Sequence, residues 1–208
     1  MIAIVDYDTG NVRSVQKALT YLGIANKVTA DPDELRAADG VILPGVGAFQ
    51  KAMAELDERQ LTDVLREIAQ AGKPMLGICL GMQLLFDYSM EFGRAEGLGI
   101  LPGAVVPIPH QDGFKVPHMG WNQNTRQRVG VFGDVFDGQY TYFVHSYYVQ
   151  TASRNIVCTT DYGIQMPSVV RQNNVIGMQF HPEKSGQVGL NGLKAFEEVC
   201  RNGAITSN

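Results

Sequence analysis

The chain has 208 residues, of which 45% are hydrophobic, and a formal net charge of −4 at pH 7. A chain of this length can bury roughly 70% of its unfolded surface, so we expect a single domain over residues 1–208 that folds without disulfides or metal. Scattered charges, three widely spaced cysteines and the lack of a long apolar run argue against nucleic acid, secretion and membrane association, and they indicate a cytoplasmic protein.

The N-terminal part of the chain alternates between strand and helix patterns. Apolar strands are predicted at residues 2–6, 25–29 and 41–43. Helices are predicted at residues 11–22, from the capping pattern Asp31-Pro32-Asp33-Glu34 onward, and on the apolar face Leu61, Val64, Leu65 and Ile68. Repeated strand–helix units with nearly continuous apolar strands predict an α/β fold, with a mostly parallel central sheet and helices on both faces.

A glycine-rich loop, Pro44-Gly45-Val46-Gly47, follows the third predicted strand. Its glycines free the backbone to turn N–H groups toward a ligand, which is how an oxyanion hole is built. The N–H groups of Gly45 and Val46 are therefore candidates for stabilising an oxyanion. Ordinary strand-to-helix turns have similar sequences, so the loop is informative only together with a nucleophile.

Cys79 lies where a strand over residues 73–78 is predicted to break into a helix over residues 80–88. Gly77 and Gly81 flank it in the pattern of a nucleophile elbow, whose tight turn leaves no room for a Cβ. The unpaired N–H groups at the helix start favour a thiolate, and the N–H of Leu80 faces any oxyanion formed by attack. A lone cysteine is usually a core residue, but the glycines and the strand-to-helix break favour a nucleophile here.

Residues 98–170 have short strand patterns, turns and many aromatic side chains, which predict antiparallel strands added to the sheet edge. His145 in this region has no nearby carboxylate in the sequence, so it is the weaker candidate for a catalytic base. His118 and Trp121 are interpreted as packing or interface residues. Cys158, and Cys200 on the last predicted helix, are interpreted as core thiols.

The C-terminal part of the chain supplies a base for the Cys79 thiol. Residues 175–180 predict an interior strand, and Pro182 cannot continue its hydrogen-bond ladder, so His181 lies at the strand end, where reactive groups collect in open α/β sheets. Glu183 is two residues further on, and its carboxylate can orient the imidazole. Without Cys79, the preferred interpretation would be a histidine at a strand end and a solvated acid.

Three motifs together resemble one family, the triad-type (class I) glutamine amidotransferases. They are Pro44-Gly45-Val46-Gly47, Gly77-Ile78-Cys79-Leu80-Gly81-Met82-Gln83 and His181-Pro182-Glu183. The resemblance covers essentially the whole chain and implies that Cys79, His181 and Glu183 form a catalytic triad that releases ammonia from glutamine. It also implies that L-glutamine is held by Gln83 and by the backbone of Gly47, Ser146 and Tyr147, with no metal or other cofactor.

Three further segments resemble one branch of that family, the glutaminase subunits of imidazole glycerol phosphate synthases. They are Asp6-Tyr7 with Gly10-Asn11 and Arg13-Ser14-Val15, residues 118–122, and residues 142–148. Asp8 departs from the small residue that is usual at its position. This resemblance implies a heterodimer with a (β/α)8-barrel cyclase subunit, which uses the ammonia to make imidazole glycerol phosphate and an aminoimidazole carboxamide ribonucleotide in histidine biosynthesis.

Three alternatives remain at this point. The partner could be the synthase for pyridoxal phosphate, anthranilate or aminodeoxychorismate, and ammonia transfer to each candidate synthase would separate these. The chain could also be a stand-alone cysteine hydrolase, which would cleave peptides or esters without a partner. A binding module with a vestigial thiol is the non-enzymatic alternative, and it predicts that a glutamine-like electrophile does not label Cys79.

Overall fold

The computed structural model describes residues 1–8 and 11–202 of the chain. Gly10, which belongs to the N-terminal motif, lies outside the described residues. The strands are β1 (Ile2–Val5), β2 (Asn26–Thr29), β3 (Gly40–Gly45), β4 (Met75–Cys79), β5 (Phe86–Ser89), β6 (Ala95–Glu96), β7 (Leu101–Pro107), β8 (His118–Arg126), β9 (Tyr140–His145), β10 (Tyr147–Gln150), β11 (Ile156–Asp161), β12 (Gln165–Gln172) and β13 (Val175–Met178).

The α-helices alternate with these strands in the first half of the chain and flank the sheet in the second. They are α1 (Val12–Tyr21), α2 (Pro32–Ala37), α3 (Phe49–Glu58), α4 (Leu61–Gln70), α5 (Leu80–Leu84), α6 (Val131–Phe136) and α7 (Gly186–Asn202). Short 3₁₀ turns span Ser153–Asn155 and Pro182–Lys184. Across residues 1–8 and 11–202, no helix combines the length and apolar character needed to cross a membrane.

Among the described residues, nine strands form the central sheet, in the order β2-β1-β3-β4-β13-β12-β11-β8-β9. The first five are parallel to one another, and β12, β11, β8 and β9 extend the sheet by antiparallel pairing. This confirms the predicted fold class. The carboxyl ends of β3, β4 and β13 meet at one edge, which brings the three motifs together.

Side chains alternate between two hydrophobic layers along the parallel strands, as the period of a strand requires. In β1, Ile2 and Ile4 contribute to the layer that contains α1 and α7, whereas Ala3 and Val5 contribute to the layer that contains α3 and α4. Both layers exclude water, which explains why these strands have nearly continuous apolar sequences.

The predicted helix over residues 80–88 is wrong in its second half. Helix α5 ends at Leu84, and the chain continues as strand β5. Leu84, Leu85 and Phe86 are fully buried, so their apolar character does not distinguish a helix from a strand. Hydrogen bonds from another segment end the helix here: Leu98 N–H donates to the Leu84 carbonyl and Gly99 N–H to the Phe86 carbonyl, at 2.9 and 3.1 Å.

Two further features were missing from the sequence analysis. Helix α3 was not recognised, although its buried residues Phe49, Ala52, Met53 and Leu56 have helical spacing. A second sheet, in the order β10-β7-β5-β6, was not expected either. Its strands β5, β6 and β7 lie in one stretch of the chain, residues 86–107, and β10 joins them from residues 147–150; strands this short leave no clear sequence pattern.

Candidate active site

Cys79 occupies a strained turn between β4 and α5. Its backbone has φ 55° and ψ −112°, a conformation that L-residues rarely adopt. A Cβ at Gly77 would lie 2.6 Å from the Gly81 carbonyl oxygen, and one at Gly81 would overlap the Leu43 carbonyl. The glycines on both sides of Cys79 are therefore required, and the elbow that they predicted is present.

His181 and Glu183 form a buried hydrogen-bonded pair just beyond strand β13. His181 Nδ1 lies 2.8 Å from Glu183 Oε1, and the two side chains are 1% and 0% exposed. The 3₁₀ turn at Pro182–Lys184 holds them in this arrangement. With Nδ1–H donating to Glu183, the other ring nitrogen, Nε2, has no hydrogen-bond partner among the described residues and remains available for a proton.

The charge state of His181 depends on both of its neighbours. Burial alone would lower the pKa of His181, but the Cys79 side chain and the Glu183 carboxylate raise this pKa to about 9. The site therefore favours the imidazolium form of His181 at neutral pH. Such an imidazolium can release a proton to a leaving group.

Cys79 and His181 open into a cavity of about 470 Å³. Most of the predicted site residues line it: Val46, Gly47, Leu80, Gln83, Ser146 and Tyr147. Gly45 is the pairing partner of Cys79 in the β3–β4 ladder, so it lies directly beside the nucleophile. The structure thus brings the predicted triad, oxyanion and substrate residues to one place.

Gln83 is buried, not an exposed helix residue. Its Nε2 donates to the Tyr147 carbonyl at 3.0 Å and to Gln179 Oε1 at 3.1 Å. Gln179 Nε2 in turn lies 4.0 Å from Cys79 Sγ. The two amides therefore connect the nucleophile to the β10 segment of the cavity wall.

Sequence reasoning did not assign roles to three residues at this site. Gln179 had one signal, since it is a polar residue inside an apolar strand pattern, two positions before His181. Asn11 donates from Nδ2 to Glu183 Oε1, and Glu91 lines the cavity while it accepts a hydrogen bond from Phe49 N–H. Asn11 belongs to the N-terminal motif, but no local pattern links Asn11 or Glu91 to this site, because only the fold brings them there.

His145, which lines the cavity, forms a second buried pair with His118. His145 Nε2 lies 3.0 Å from His118 Nδ1, and His145 Nδ1 lies 2.8 Å from the Tyr147 carbonyl oxygen. Burial lowers the pKa of His118 to about 4 and that of His145 to about 3. Both are neutral at pH 7, and both ring nitrogens of His145 are engaged, so His181 is the better placed base.

This second pair predicts a loss of stability in mild acid. In the unfolded chain both histidines take up protons near pH 6.5, whereas in the folded chain they resist protonation down to about pH 4 and pH 3. The unfolded state therefore binds more protons in this window, and each histidine lowers the free energy of unfolding by up to about 1.4 kcal/mol per pH unit as the pH falls. Urea unfolding at pH 7.0, 5.5 and 4.5 should show a shallower pH dependence for His118→Gln than for the wild type. Parallel curves would contradict the prediction.

Comparison with known proteins agrees with this geometry. A family model described as glutamine amidotransferase class-I matches residues 3–196. The chain is 57% identical to the imidazole glycerol phosphate synthase subunit HisH of Lacticaseibacillus casei over 206 residues, which are 99% of each chain. It is 51% identical to the HisH of Listeria monocytogenes over 199 residues, 96% of each chain.

Solved structures show the same fold at lower sequence identity. A crystal structure titled glutamine amidotransferase has a TM-score of 0.76 at 20% identity, covering 97% of this chain and 100% of that one. A structure of PurLQS from Thermotoga maritima has a TM-score of 0.74, also at 20% identity, covering 95% of this chain and 97% of that one. Because the family model spans nearly the whole sequence, the chain belongs to the class I glutamine amidotransferase family.

Proposed function

We propose that this chain is the glutaminase subunit of an imidazole glycerol phosphate synthase. The observation that carries the proposal is the arrangement of Cys79 on its elbow, beside the buried His181–Glu183 pair, at one cavity. The choice of synthase is supported by the HisH relatives, which match at 51–57% identity over nearly the full chain.

The proposed reaction is an acyl transfer in two steps. The Cys79 thiolate attacks the side-chain amide of glutamine, and the N–H groups of Leu80 and of the loop at Gly45 and Val46 stabilise the tetrahedral oxyanion. His181 protonates the nitrogen as the C–N bond breaks, so ammonia leaves and a thioester forms. His181 then accepts a proton from water, which attacks the thioester and releases glutamate and the free thiol.

The wall of the cavity at β10 is suited to holding the amino-acid end of glutamine. The Tyr147 carbonyl already accepts hydrogen bonds from Gln83 Nε2 and from His145 Nδ1, and the Ser146 carbonyl accepts one from Ile108 N–H. These bonds hold the segment rigidly at the cavity. We propose that glutamine is bound there by Gln83 and by the backbone of Gly47, Ser146 and Tyr147, as the family resemblance implies.

The outer face of strands β8 and β9 is suited to a protein partner. Met119 and Trp121 on β8 and Tyr140 on β9 are 61%, 56% and 54% exposed. On a stable monomer such a cluster of large apolar side chains usually marks an interface. We propose that the (β/α)8-barrel cyclase docks on this face to form a heterodimer.

The same strands are bonded directly to the catalytic segment. His181 N–H donates to the Tyr142 carbonyl at 3.0 Å, and Tyr142 N–H donates to Ser185 Oγ at the same distance. Cys79 Sγ also lies 3.9 Å from the Val144 carbonyl oxygen. A partner on this face therefore contacts the strands whose backbone lies against both Cys79 and His181.

Glutamine hydrolysis is expected to be slow in the isolated subunit and to rise steeply in the complex. A triad that hydrolysed glutamine freely would waste it, and Gly47, with φ 101°, gives the oxyanion loop the freedom to withhold an N–H until the partner is bound. Regaining one oxyanion donor is worth on the order of 10²–10³-fold in rate. Glutamate release should be measured with the chain alone, with the barrel subunit, and with the barrel subunit plus its nucleotide substrate.

The outcomes of that assay separate the alternatives. Equal turnover with and without the partner would contradict the regulatory argument and favour a stand-alone hydrolase. Activation by a synthase of pyridoxal phosphate, anthranilate or aminodeoxychorismate, and not by the cyclase, would replace the proposed partner. Because Cys79 acts only as a free thiol, we also propose the reducing cytoplasm as the site of action.

A further inference from the structure

Tyr7 is fully buried and has no role in the proposed acyl transfer. It belongs to the N-terminal motif, directly after strand β1. Its hydroxyl donates a hydrogen bond of 2.6 Å to the Pro44 carbonyl oxygen, at the start of the oxyanion loop. A phenylalanine ring would fill the same space, so packing alone does not account for the hydroxyl.

The Tyr7 hydroxyl supplies the hydrogen bond that a neighbouring strand would otherwise donate to the Pro44 carbonyl. The pairing of β1 with β3 ends at Ile4 and Ile42, so the Pro44 carbonyl lies beyond the reach of the β1 backbone. Since this carbonyl is bonded to Tyr7, it points toward the β1 side of β3. The peptide between Pro44 and Gly45 is trans, so the Gly45 N–H points to the opposite side. That side is β4, where Gly45 pairs with Cys79.

The contact also explains why Gly45 has no side chain. A Cβ at Gly45 would lie 2.6 Å from Tyr7 Oη and 3.0 Å from Gly81 N, so the loop, Tyr7 and the elbow are in close contact. Beyond this point Val46 is 37% exposed and Gly47 has a positive φ. The Pro44–Gly45 peptide is therefore fixed, and the conformational freedom of the loop lies in the peptides that follow it.

We propose that the Tyr7 hydroxyl is a positioning residue for the oxyanion loop at Pro44–Gly47. It holds the Pro44–Gly45 peptide, so that rotation of the next peptide presents its N–H at the oxyanion beside Cys79. Without this bond the whole loop shifts, and the donor is no longer aligned when the tetrahedral intermediate forms. The inference rests on the proposed glutaminase function.

The test is Tyr7→Phe, assayed in the complex with the barrel subunit. We expect kcat for glutamine hydrolysis to fall by about tenfold or more, a part of the 10²–10³-fold lost when an oxyanion donor is removed outright. The KM for glutamine should stay within about threefold, because the bond acts on the transition state. Alkylation of Cys79 by iodoacetamide should stay within about twofold, since this displacement forms no oxyanion.

The matched control is Tyr162→Phe, which removes a hydroxyl bonded to the Lys115 carbonyl at 2.9 Å. It should keep the wild-type kcat. If Tyr7→Phe lowers hydrolysis and alkylation equally, the elbow itself is damaged and the positioning role is wrong. An unchanged kcat in Tyr7→Phe would also overturn the inference while leaving the glutaminase proposal intact. A wild-type complex that does not hydrolyse glutamine would overturn both.

Discussion

Replacing Cys79 with serine is expected to abolish glutamine hydrolysis, with a loss on the order of 10⁴-fold or more. The elbow places this thiol beside His181, at the start of α5 and at the cavity, and a serine hydroxyl there is far harder to ionise. Serine is similar in volume, so the folded structure should be retained. Glutamate release should be measured in the complex, together with the thermal unfolding midpoint.

The other two cysteines provide matched controls for this prediction. Cys158 is fully buried and Cys200 is half-buried on α7. Burial raises the pKa of each thiol to about 12, so both stay protonated and unreactive at neutral pH. Cys158→Ser and Cys200→Ser should therefore keep glutaminase activity. Activity in Cys79→Ser, or its loss in Cys158→Ser with folding intact, would contradict the assignment.

The parts of the site that could be predicted from the sequence depend on short-range geometry. Gly77, Cys79 and Gly81 define the elbow because a turn that tight excludes a Cβ within two residues on each side. The start of helix α2 also follows a local rule, because the Asp31 side chain accepts hydrogen bonds from Asp33 N–H and Glu34 N–H at 2.8 and 3.1 Å. A local rule determines each of these features, so a local pattern reveals it.

The remaining contacts of the site join residues that are far apart in sequence. Asn11 reaches Glu183 only because α1 begins next to the loop after β13, and Tyr7 reaches Pro44 only because β1 ends before β3 does. A contact between separate segments also explains why the helix predicted over residues 80–88 is wrong in its second half. The apolar pattern of these residues fits a helix, but the backbone of residues 97–101 binds part of the segment as a strand neighbour. No pattern within a single segment encodes such contacts.

The other large effect is expected at the base. His181→Ala should remove nearly all glutamine-dependent turnover, with a loss comparable to that of the nucleophile, because the two groups act as a unit. Glu183→Gln should be one to two orders of magnitude less damaging, since the carboxylate orients and stabilises the imidazolium without accepting its proton. Its amide oxygen can still face Asn11 Nδ2 and His181 Nδ1, but the negative charge is lost.

Synthesis from ammonium salts shows whether these variants impair glutamine hydrolysis or the assembly of the complex. Free ammonia bypasses the glutaminase, so synthesis from ammonium salts in the complex with the cyclase should keep its wild-type rate in both variants. His110→Ala, an exposed histidine away from the cavity, should leave both reactions unchanged. If His181→Ala also lost the ammonia-dependent reaction, its effect would be on assembly, and the role of His181 as the proton donor would have to be abandoned. Because His181 N–H is bonded to the Tyr142 carbonyl on the proposed docking face, and alanine retains that backbone bond, the variant separates the imidazole from the interface.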